Sequence, residues 1–72
     1  MVYNVKAFEE GQLSFMASFK KFREALEAAV NAAPKSLAEE VISVCMSLEE
    51  EDNGDVNCKF EEGGFTLEVT TE

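Results

Sequence analysis

Histidine is absent from this chain of 72 residues. With it go the commonest general base, the Ser-His and Cys-His nucleophile pairs, and any Cys/His zinc site. Cysteine is scarce. Cys45 and Cys58 are too few for the disulfide framework of a secreted mini-protein or for a four-thiolate metal site, and they read as reduced thiols that pack like small hydrophobes. No run is apolar for long enough to cross a bilayer, and Met1-Val2-Tyr3-Asn4-Val5-Lys6 lacks the layout of a signal peptide. A cytoplasmic protein without membrane contact is therefore expected. A phosphate-binding glycine loop is missing too, since Gly63-Gly64 is followed by neither a Lys nor a helix.

Positive charge is the last scarcity. Six Lys and Arg face fifteen Asp and Glu, a net charge of −9. Residues 1–34 balance Lys6, Lys20, Lys21 and Arg23 against Glu9, Glu10, Glu24 and Glu27, so the whole excess falls in residues 35–72, where Lys35 and Lys59 face eleven acids. Direct nucleic-acid binding needs a basic surface to displace counterions, and Lys20, Lys21 and Arg23 are too small a cluster for it.

What the chain does have is a foldable apolar content of 46%, six of the residues being Phe, on a length that suits one domain. From Ser18 to Ala33 the residues Phe19, Phe22, Leu26, Ala29, Val30 and Ala33 recur at three-and-four spacing and predict an amphipathic helix that ends at Pro34. Before it, Tyr3, Val5 and Ala7 alternate, as do Leu13, Phe15 and Ala17. With Glu9-Glu10-Gly11 as a three-residue loop they predict a β-hairpin pairing Ala7 with Leu13 and Val5 with Phe15. The competing reading starts the helix at Ser14.

Ser36-Leu37-Ala38-Glu39 is a capping-box pattern. Val41 to Leu48 then fits a helix through Leu37, Val41, Val44 and Leu48, or a strand through Ile42, Val44, Met46 and Leu48. Its β-branched residues and two Ser favour the strand, which turns Cys45 outward. Asn53-Gly54 is a turn signal that would lead into Val56. Val56, Cys58 and Phe60 then alternate, as do Phe65, Leu67 and Val69, and predict a second hairpin with Glu61-Glu62-Gly63-Gly64 as loop and Phe60 facing Phe65. The turn signal Phe8-Glu9-Glu10-Gly11 recurs as Phe60-Glu61-Glu62-Gly63. The expected fold is α+β: a hairpin, one main helix and a three-strand meander (ββαβββ), the helix covering one face of a small antiparallel sheet. The alternative is two helices followed by a C-terminal hairpin.

No residue pattern points to catalysis or to a resident cofactor. Paired-carboxylate chemistry needs one acid made unusual by burial, whereas these acids fall in turns and on wet strand faces. An EF-hand framed on Gly54 would place Phe60 where the closing Glu belongs. What remains is acidic surface. The expectation is a small non-enzymatic binding protein, an inhibitor of the kind found among phage and mobile-element accessory proteins. It would block a basic, nucleic-acid-binding surface of a target protein by setting carboxylates where phosphates would lie. The candidate contacts are Glu49, Glu50, Glu51, Asp52, Asp55, Glu61 and Glu62. The alternative is a homo-oligomeric assembly subunit, a homodimer for instance, joined through an exposed strand edge or through Tyr3, Phe8, Met16 and Val41.

Overall fold

The computed structural model describes the backbone of residues 1–50 and 56–72, and the side chains of 1–48 and 56–72. Four antiparallel strands form one sheet: β1 (Tyr3–Glu9), β2 (Gln12–Phe19), β3 (Asn57–Glu62) and β4 (Phe65–Thr71), in the spatial order β2-β1-β4-β3. Two helices, α1 (Phe22–Ala32) and α2 (Ala38–Glu50), lie between the hairpins in sequence, joined by a 3-10 turn at Lys35–Leu37. The α+β reading with an antiparallel sheet holds. Its detail is a hybrid of the two expected forms, with the N-terminal hairpin of one and the helix pair of the other.

The segment Val41–Leu48 is helix, which corrects the predicted strand. Val41 and Cys45, four residues apart, are both buried, while Ile42 and Met46 are exposed. Helix propensity costs a β-branched residue about 0.5 kcal/mol relative to the best formers, whereas burying one Val contributes roughly 1.5–3 kcal/mol. Burial of the helical stripe therefore outweighs local preference. Cys45 consequently points inward, its Sγ 4.0 Å from the carbonyl of Leu26 on α1. Val41, expected as spare surface, has no exposure at all, and Tyr3 packs its ring 5.2 Å from that of Phe22. Met16 does remain exposed, and Phe8 is half-buried. Both cysteines are free thiols.

Both hairpins shift register relative to the simplest alternation. In the first, the turn is Glu10-Gly11 alone, both at positive φ (51° and 79°), and Glu9 pairs with Gln12. A bulge after Ala7 then pairs Ala7 with Phe15 and Val5 with Ala17, and Leu13 turns to the open face. In the second, the turn is Gly63-Gly64, also at positive φ, so Phe60 faces Leu67 and not Phe65. Two-residue turns with both φ positive match the twist of the strands they join. The second slip is by two residues on the facing strand, an even step that leaves the inward set inward.

The core lies between the sheet and the helices: Val5 and Ala7 of β1, Phe65, Leu67 and Val69 of β4, Ala25, Leu26 and Ala29 of α1, with Val41, Cys45 and Val56. Helix α1 begins at Phe22, later than the periodicity suggests, because Phe19 closes β2 opposite Tyr3. The opposite sheet face is open and carries Lys6, Glu68 and Lys59 in one cross-strand row.

Candidate functional site

Because β1 and β4 are antiparallel neighbours, the turn that leaves β1 and the turn that enters β4 stand side by side at one end of the sheet. A backbone hydrogen bond from the Glu10 N–H to the Gly64 carbonyl, 2.8 Å, ties them together. Across that end runs the row Gln12, Glu9, Phe65, Glu62. Glu9 and Glu62 flank the buried ring of Phe65 and are themselves exposed. Glu61 faces the open side, where its carboxylate accepts a hydrogen bond from the Thr66 hydroxyl at 3.2 Å.

The carboxylate of Glu10 folds over Gly64. A Cβ at that glycine would sit 2.6 Å from Glu10 Oε1, so the absence of a side chain is what admits the carboxylate. Glu10 also holds the left-handed conformation, φ 51°, where Asn or Gly is preferred and other residues cost roughly 1–2 kcal/mol. Pro34 closes a small cleft of about 210 Å³ with Glu9, Glu10 and the Gly63-Gly64 turn. Through Pro34 the segment that joins α1 to α2 reaches this same end. Four carboxylates, Glu9, Glu10, Glu61 and Glu62, thus stand at this end of the sheet.

Of the sequence-predicted contacts, Glu61 and Glu62 stand at this turn end. Glu51, Asp52 and Asp55, the Asn53-Gly54 turn signal and the side chains of Glu49 and Glu50 lie outside the described residues. Val56, where the chain resumes, is at the far end of β3, bonded to Thr71 through both its N–H and its carbonyl. Six residues separate it from Glu62, about 20 Å at the rise of a strand. The contacts chosen from sequence did not include Glu9 and Glu10. A signal for these two existed: the repeated Phe-Glu-Glu-Gly marks the two turns that meet.

Other features bear on chemistry. A cleft of about 480 Å³ runs between α1 and α2 over Leu26, Val30 and Cys45, with Ile42 and Met46 at its rim. Among the described residues no polar or charged side chain is buried, and no three Cys, Asp or Glu are placed to hold a metal ion. Cys58, half-buried on β3, has its thiol pushed above the ordinary value of 9.0 by burial. No described helix is long and apolar enough to cross a membrane. Compared with protein-family models, curated proteins and solved structures, the chain matches none.

Proposed function

We propose that this chain is a non-enzymatic cytoplasmic binding protein whose turn end docks on a basic protein surface, of the kind that otherwise holds nucleic acid, and inhibits it. The observation that carries this reading is Glu10. A glutamate held left-handed in a tight turn, its carboxylate laid over Gly64, costs stability that Asn or Gly would not, so a charge at that place outweighs turn preference. Glu9, Glu61 and Glu62 extend the negative field on either side, and the field focuses where cations are few. Among the described residues the proposed contact set is Glu9, Glu10, Glu61 and Glu62.

The test is affinity purification from the native host with the chain as bait, followed by binding measurements on the partner recovered. Electrostatic capture predicts that raising salt to about 0.5 M weakens binding steeply, because the Debye length falls well below 10 Å. Heparin or duplex DNA should compete. Charge reversal, Glu10→Lys with Glu62→Lys, should reduce affinity by tenfold or more, on the order of 1.4 kcal/mol. Binding that ignores salt, polyanion and charge reversal would overturn the proposal.

A further inference from the structure

The sheet has two edges, and they differ in chemistry. The β3 edge carries Lys59, Glu61 and Glu62, the charges by which edge strands normally resist pairing. The β2 edge, Gln12–Phe19, contains no charged residue, no proline and no glycine, in a chain of net charge −9. Its row of outward backbone groups has no strand neighbour among the described residues. On the helix side of this edge Phe15 and Phe19 are only half-buried, although both pack against the core, and on the open side Met16 is 62% exposed.

We propose that β2 is where two copies of this chain join, edge to edge and antiparallel, into one continuous sheet with a two-fold axis at Ala17. A second copy suits this edge for reasons of charge. Two bodies of −9 repel over most of their surfaces and least along a neutral strand. The ends of β2 are of opposite sign: Glu9 closes β1 and Glu10 opens the turn just before β2, and Lys20 and Lys21 follow directly after it. Antiparallel pairing brings the acidic end of each β2 toward the lysine end of the other, twice; parallel pairing would set like ends together.

The bulge fixes the register. It lies before Phe15 and leaves Phe15–Phe19 as regular strand, whose middle is Ala17. Pairing about Ala17 brings Phe15 of one copy opposite Phe19 of the other, which covers the half-exposed rings and lengthens the core, while Met16 falls opposite Ser18. The interface leaves Glu61 and Glu62 uncovered but brings the Glu9–Glu10 end of one copy toward the lysine end of the other, so self-association is read on the chain alone, apart from binding to any basic partner.

Light scattering over a concentration series tests this directly. The expected mass is twice the 8.0 kDa of one chain, returning to that of the monomer on dilution. The variant Met16→Glu/Ser18→Glu sets like charges opposite each other across the axis and is expected to weaken association at least tenfold, with an unchanged far-ultraviolet spectrum. Met16→Glu alone, which keeps the Ser18 hydroxyl bonded to Asn4, should give a smaller loss in the same direction. Mixing the double-Glu variant with Met16→Lys/Ser18→Lys should restore a heterodimer, as a pairing of the two β2 edges at these positions predicts. A wild-type chain that stays monomeric at millimolar concentration, and so leaves β2 free for another protein's strand, would overturn the proposal. So would a dimer that survives the double-Glu variant.

Discussion

The two hairpins carry the same four residues, Phe-Glu-Glu-Gly, and use them differently. In the first, the turn takes Glu10 and Gly11, so Phe8 faces the open side and Glu9 the helix side. In the second, the turn comes one residue later, at Gly63-Gly64. Phe60 therefore faces the core, and Glu62 takes the row that Glu9 takes in its partner hairpin. One extra glycine turns every side chain of the motif to the opposite face, as a strand period of two requires. The tetrapeptide marks a turn without setting its frame. The frame is set by which residues can hold positive φ, and the first hairpin accepts a Glu there.

The largest expected contrast lies between the two phenylalanines. Phe60→Ala should destabilise by about 2 kcal/mol, since its ring packs on the core, and Phe8→Ala by less than about 1 kcal/mol. Urea denaturation of both variants reads this, and equal losses would break the claim that the frames are opposite. The turns come next. Glu10→Asn should stabilise by roughly 0.5–1 kcal/mol by relieving the left-handed glutamate, while Gly63→Ala should destabilise by about 1 kcal/mol. A thermal melt in which both substitutions move stability the same way would contradict the assignment. The first variant also removes a carboxylate from the proposed docking end, so it should gain stability and lose affinity together.

The smallest effect concerns pH. Cys58 is a titratable group on the core side of the second hairpin, and Ala17 is its counterpart in the same cross-strand row. Burial raises the Cys58 thiol above 9.0, so the folded state holds that proton more tightly than the unfolded chain. Its contribution is complete below 9.0 and declines as pH rises from there through the raised folded value. Wild-type stability should thus fall more steeply than that of Cys58→Ala as pH rises above 9.0, as denaturation at a series of pH values measures. Identical slopes would place the thiol in water.

Alternation and turn chemistry made both hairpins legible, down to the inward set Val5, Ala7, Phe15 and Ala17, together with Cys58, Phe60, Leu67 and Val69. Register was not legible, because the bulge before Phe15 and the tight Gly63-Gly64 turn each absorb residues that a simple count assigns to loops. The second helix was obscured by its own composition. Val41, Ile42 and Val44 argue for strand locally, and only the stripe from Leu37 to Leu48 packing on α1 decides otherwise. The acidic end was half legible. Glu61 and Glu62 could be named from charge, but Glu9 and Glu10 sit in a charge-balanced half of the chain, and nothing in the linear order says that the two turns touch.

The middle of the sheet is built from the first strand and the last. Val5 lies opposite Val69, and Val2 and Glu72 exchange backbone hydrogen bonds at 3.5 and 3.0 Å. On the ribosome, each hairpin can form as it emerges, but the first must wait through both helices with its inner edge exposed, until Phe65–Thr71 arrives to fill it. Loop closure over nearly the whole length then limits how fast the molecule assembles. Val2 and Glu72 therefore meet at the foot of the sheet, at the opposite end of β1 and β4 from the acidic turns.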